Sequence, residues 1–181
     1  VDRFGPRIVV AVGGVLVAPR HSYSGTLGLA QLKAERGELT LLEVDIEDTG
    51  ATVAALDGAD VLWAESPTTH MMEVADLPAL VAAAHASGVL VVVDNTFSTP
   101  LGQKPLGVGA DVVVHSATKY LAGHSDVLLG VAVTADEQLR YAASDVLHLH
   151  ALREKLAEML AREGRTEMAA RCFEFLPMRA E

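Results

Sequence analysis

The chain has 181 residues and a formal net charge of −10; half of it is hydrophobic but only 4% is aromatic. That length buries a real core within one domain, and the core must be mostly Ala, Val and Leu. The acidity disfavours nucleic acid and anionic membrane surfaces as partners, and the longest apolar runs are too short to span a bilayer.

One cysteine, Cys172, rules out a disulfide framework within the chain and fits a reducing cytosol, so a cytoplasmic location is expected. No secretory signal pattern opens the chain. It begins on Val1 and not on an initiator methionine, as expected of a cut or processed end.

Short apolar runs recur along the chain. GVLVAP (14–19), LTLLEVD (39–45), ADVLWAES (59–66), GVLVVVDN (88–95), ADVVVHS (110–116) and VLLGVAV (127–133) read as strands. Several are continuous, not alternating, which indicates strands covered on both faces, as in a parallel sheet. Helical patterns lie between most of them. LGLAQLKAERG (27–37) ends on a glycine. TGATVAALDG (49–58) reads as a short helix. DLPALVAAAHASG (76–88) has Asp76 as N-cap, an early proline and Gly88 as its stop. From Ala135 to Arg171 the chain reads as almost wholly helical, with a solvated, charge-laced face around ALREKLAEMLAREG. The alternation predicts an α/β fold: a mainly parallel sheet flanked by helices.

In such sheets ligands collect at the carboxyl ends of the strands. There stand Asp94-Asn95-Thr96, then His115-Ser116-Ala117-Thr118-Lys119, then Glu65-Ser66-Pro67-Thr68-Thr69, and His21-Ser22-Tyr23-Ser24-Gly25-Thr26. An amine in a partly dry pocket can attack an aldehyde. Hydroxyls beside it can bind phosphate, a carboxylate can keep a pyridine nitrogen protonated, and a tyrosine can cover a ring face. These are the parts needed to hold pyridoxal phosphate, with Lys119 as the attachment point and Asp94 facing the ring nitrogen. Taken singly, each has a plainer reading. A strand-end lysine is usually solvated, Asp-Asn commonly marks a turn, and Ser116 and Thr118 could cap a following helix. Glu65 reads as an ordinary strand-end carboxylate, outside the candidate set. The seven histidines show no metal-ligand spacing; His148 and His150 would face different ways on a helix.

The segment VVVDNTFSTPLGQKPLGVGADVVVHSATKYLAGHSDVLLG (91–130) resembles the cofactor-binding segment of the Cys/Met-metabolism, or trans-sulfuration, family of pyridoxal-phosphate enzymes. The family includes cystathionine γ-synthase, cystathionine γ-lyase and methionine γ-lyase. The likeness extends back through WAESPTTH to APRHSYSGT, so it covers residues 14–134 as a cofactor-binding core; 1–13 are unmatched and 135–181 form a helical C-terminal segment. It implies the large-domain fold of fold-type I enzymes. It also implies that Lys119 is the Schiff-base lysine, Asp94 the partner of the pyridine nitrogen, Ser116 and Thr118 hydroxyls beside the phosphate, and Tyr23 the stacked ring, with Lys119 and Tyr23 serving in catalysis. The implied activity is lyase or transferase chemistry, elimination or replacement on sulfur amino acids or homoserine esters. The implied partners are a small amino-acid substrate and further copies of the chain, as dimer or tetramer.

The pattern departs from the family in four places. Thr69 and His70 stand where the family often has Asn-Pro. The Ser-Gly helix start that cradles the phosphate is not supplied by VDRFGPRIVVAVGG. The N-terminal arm that reaches a neighbouring subunit has no counterpart. Nor does the C-terminal domain, with its carboxylate-binding arginine. The reading is therefore of a truncated form. Its alternative is a catalytically silent fragment that keeps the fold and serves in binding or subunit association.

Overall fold

The computed structural model describes residues 13–124, 128–135, 161–162 and 164. The chain divides into two compact units, Val1–Leu139 and Arg140–Glu181. Of the helix expected over 135–171, only Ala135, Ala161, Arg162 and Gly164 are described; Ala161 and Arg162 are helical. His148, His150, Cys172 and the Ser125-Asp126 end of GHSD lie outside the described residues.

Within the first unit, strands and helices alternate in the expected order: β1 (Gly14–Pro19), α1 (Ser24–Glu35), β2 (Leu39–Val44), α2 (Thr49–Ala54), β3 (Val61–Glu65), α3 (Leu77–Ala86), β4 (Leu90–Asp94), α4 (Thr99–Gly102), a 3-10 turn (Pro105–Val108), β5 (Val112–Ser116) and β6 (Gly130–Val133). The six strands form one sheet in the order β2-β1-β3-β4-β5-β6. All neighbours pair parallel except β5 and β6, which are antiparallel. Parallel pairing needs a crossover connection, and the described residues between β5 and β6, 117–124 and 128–129, include no helix.

Local chemistry explains the helix ends. Asp48 and Asp76 cap α2 and α3 by accepting from the Ala51 and Ala79 amides at 2.9 and 3.2 Å. Helix α1 begins three residues before the expected start, because its first turn, Ser24-Gly25-Thr26, is polar and carries no apolar period. The stop at Gly88 is as read, with φ 74.

Two matching triplets tie the sheet together. Gly58-Ala59-Asp60 precedes β3 and Gly109-Ala110-Asp111 precedes β5. Each aspartate accepts from the amide of the second residue of the adjacent strand: Asp60 Oδ2 from Val15 at 2.9 Å, Asp111 Oδ2 from Val91 at 2.8 Å. Asp111 also holds His85 Nε2 of α3 at 3.0 Å.

The strand alternation divides the core cleanly. Val17, Leu62, Ala64, Val91, Val93 and Val113 point to the face packed with Leu77, Leu80, Val81 and Ala84 of α3 and with Leu56 after α2. Leu16, Val61, Trp63, Leu90, Val92 and Val112 point the other way. Together with part of α1 they line an apolar groove of about 590 Å³. The continuous apolar runs thus reflect two apolar faces; among the described residues one is packed and the other is partly open.

Candidate active site

The strand order reverses once, where β1 leads to β2 on one side and to β3 on the other. At such a switch point the flanking loops diverge and leave a crevice beyond the carboxyl ends of the strands. A cavity of about 70 Å³ lies at that edge. Four segments supply its walls: Tyr23 after β1, Glu65, Pro67 and Thr69 at and after β3, Asp94, Thr96 and Phe97 at and after the end of β4, and Ser116 and Lys119 at and after the end of β5.

Lys119 lies in the turn after β5, with its amide donating to the Ser116 carbonyl at 3.1 Å. Its Nζ sits over two aromatic rings, 5.0 Å from the Tyr23 centroid and 5.2 Å from the Phe97 centroid. Among the described residues it forms no ion pair. The electron-rich faces of the two rings hold the amine within the cleft. Phe97 packs edge-on against Tyr120, which fixes its own orientation.

Asp94 closes β4. Its Oδ1 accepts from the Thr96 amide at 3.0 Å and the Thr96 hydroxyl at 2.5 Å, while the same hydroxyl accepts from the Ser116 amide at 2.9 Å. One threonine thus orients the carboxylate and links it to the strand that carries Lys119. Asp94 Oδ2 has no hydrogen-bond partner among the described residues. Asn95, buried, turns away from the cleft; its side chain donates to the Thr99 and Gln103 carbonyls at 3.1 and 2.9 Å and locks the following loop.

Tyr23 is the N-cap residue of α1 and is 46% exposed. Its ring lies back against the helix start, and this is possible because residue 25 is glycine. A Cβ at Gly25 would stand 2.6 Å from the ring.

The structure therefore brings Lys119, Asp94, Tyr23 and Ser116 to one cleft. Thr118 does not line it. Its hydroxyl accepts from the Leu129 amide at 2.9 Å and donates to the Leu129 carbonyl at 3.4 Å, so it ties the lysine turn to the segment before β6. Thr69 lines the cleft, but its hydroxyl donates to Glu65 Oε1.

Besides Thr69, the cleft residues that the sequence reading left outside its candidate set are Glu65, Pro67, Thr96 and Phe97. For Glu65 the missed signal was position: it ends its strand just as Asp94 does. It is only 4% exposed, and its Oε2 accepts from the Tyr23 amide at 2.8 Å. Burial pushes its carboxyl above the ordinary glutamate range. Hydrogen bonds from Thr69 and Tyr23 oppose that rise, and the Asp94 charge adds to it.

Residues 7–157 match the family described as Cys/Met metabolism PLP-dependent enzyme. The chain belongs to that family. Within the Cys/Met-metabolism family it is 43% identical over 125 residues to cystathionine gamma-synthase of Escherichia coli, covering 68% of this chain and 32% of that protein. It is 39% identical over 134 residues to cystathionine gamma-synthase of Mycobacterium tuberculosis, covering 74% and 34%. The fold is shared with the crystal structure of cystathionine gamma synthase from Xanthomonas oryzae pv. oryzae in complex with cystathionine. That likeness has a TM-score of 0.69 at 38% identity and covers 74% of this chain and 35% of that one. The chain thus spans about a third of the length of these relatives. The family's cofactor is pyridoxal phosphate, and its enzymes have this mainly parallel sheet flanked by helices.

Proposed function

We propose that this chain supplies the cofactor-binding part of a pyridoxal-phosphate enzyme acting by elimination or replacement on sulfur amino acids or homoserine esters. The observation that carries the proposal is the meeting of Lys119 and Asp94 in one cleft, although 25 positions separate them in sequence. The residues fit the group on chemical grounds: among the described residues there is an amine without an ion pair, a carboxylate oriented through one oxygen with the other open, an aromatic ring beside the amine, and a hydroxyl without a partner at Ser116.

When bound, pyridoxal phosphate supplies an electron sink that stabilises negative charge at the carbon of an attached amino acid. The protein's part is placement. Lys119 would attach the cofactor and carry protons at its Nζ. Asp94 Oδ2 would hold the ring-nitrogen proton. Tyr23, its ring centroid 5.0 Å from the Lys119 Nζ, would cover the ring and share in proton transfer. Ser116 offers its hydroxyl to the phosphate, and Thr118 steadies the lysine turn from outside the cleft. The substrate class is taken from the named relatives. Residues 14–134 act as the core unit, and assembly with further copies completes the surroundings of the site.

The test is direct. The purified chain is mixed with pyridoxal phosphate, its visible absorbance is recorded, and borohydride reduction is followed by peptide mapping. A label on Lys119, absent from K119A, is the expected result; a label elsewhere or none overturns the reading. Keto-acid release from cystathionine, homocysteine and methionine then separates the two functional readings. The second, a binder without turnover, predicts a labelled Lys119 and no keto acid.

A further inference from the structure

Glu65 is a buried acid that the proposed chemistry leaves without a task. It ends β3, in register with Asp94 of β4, and it has no ion pair among the described residues. Burying a carboxyl beside another acid is costly unless its hydrogen bonds serve the structure around it. Both of its oxygens are used. Oε2 accepts from the Tyr23 amide at 2.8 Å, and Oε1 accepts from the Thr69 hydroxyl.

The Tyr23 amide belongs to the N-cap residue of α1, among the amides that intrahelical bonding leaves unpaired. The Tyr23 side chain makes no hydrogen bond to the helix, so the backbone at this position is held from outside. Glu65 is the group that holds it. Four residues on in the same segment, Thr69 spends its donor on the same carboxyl.

We propose that Glu65 is a positioning residue, which sets Tyr23 against Lys119 by gripping the Tyr23 amide, its own carboxyl being steadied by the Thr69 hydroxyl of the same segment. The proposal rests on the cofactor reading above and deepens it. Gly25 gives the ring its room, and Glu65 fixes the backbone from which the ring projects. The amine of Lys119 then lies 5.0 Å from the ring centroid.

The experiment uses the full chain with pyridoxal phosphate as probe and compares wild type, E65A, E65D, Y23A and E65A/Y23A. Three readouts are taken: the borohydride label on Lys119, the cofactor dissociation constant, and the visible circular dichroism of the bound cofactor, which reports ring orientation. E65A is expected to keep the label, to bind about tenfold more weakly and to lose at least about half of the dichroic band. Y23A should do the same, and the double variant should be no worse than Y23A, because both changes remove one interaction. E65D keeps the charge on an arm one methylene shorter; it should shift the band as E65A does, and it serves where E65A does not fold. A wild-type band in E65A or E65D, or losses that add in full, overturns the inference while leaving the cofactor reading intact. No label on Lys119 in the wild type overturns the cofactor reading and this inference with it.

Discussion

Glu65 and Asp94 are register partners on β3 and β4, each the last residue of its strand, and their carboxyl groups share one cleft. Two acids side by side resist joint ionisation. The environment divides them: Asp94 is oriented by Thr96 with one oxygen open, whereas Glu65 is buried with both oxygens engaged.

The division has a consequence for stability against pH. The Glu65 carboxyl is raised above the ordinary range in the folded chain, so the folded state holds its proton more tightly than the unfolded state does. Stability from this group is therefore greatest in acid. It falls as pH rises from the ordinary glutamate value through the raised one. E65Q removes the ionisation and keeps an acceptor for the Tyr23 amide. Its melting temperature should exceed wild type near pH 7.5, and the gap should close below pH 4. Melting curves across pH check this; a constant gap would refute it.

Replacing Asp94 by asparagine keeps the acceptor for Thr96 but removes the charge toward the ring nitrogen. D94N should weaken pyridoxal-phosphate binding about 10- to 100-fold, the range of a lost charged hydrogen bond, with Lys119 still labelled at saturating cofactor. Absorbance titration reads both effects. Undiminished affinity would remove Asp94 from the site.

Thr96 is a structural bridge between β4 and β5, and its loss should be felt as stability. T96V leaves the Ser116 amide without its acceptor and Asp94 without its hydroxyl donor. Urea unfolding should show a loss of about 1–2 kcal/mol. T118V, which strips the ties to Leu129 outside the cleft, should likewise cost stability more than cofactor affinity.

Gly25 makes a sharper prediction, because the atom that its Cβ would meet belongs to a side chain that can swing away. G25A should fold normally, helped by about 0.5–1 kcal/mol of helix preference. If Tyr23 stacks as proposed, cofactor affinity should drop by about 0.5–1.5 kcal/mol, roughly 2- to 12-fold, as its ring is pushed aside. Equal affinity in G25A and wild type would mean that the ring does not touch the cofactor.

Much of this protein was legible in its residues, because the signals were local. Continuous valine runs gave the strands; Asp76, the proline at position 78 and Gly88 marked α3; and strand-end chemistry with the DNTF and SATKY spacing singled out Asp94 and Lys119. Those features depend on neighbours within a few positions, and a linear reading sees them. What the tertiary structure alone decided depends on residues far apart along the chain. The antiparallel β6, the open apolar face, the Asp60 and Asp111 ties, the Thr96 bridge and the engagement of Thr118 with Leu129 are all of this kind. So is Glu65: as a lone acid at a strand end it looked ordinary, and only strand pairing set it beside Asp94 and under Tyr23. Register and burial are properties of the packed sheet, and no single segment encodes them.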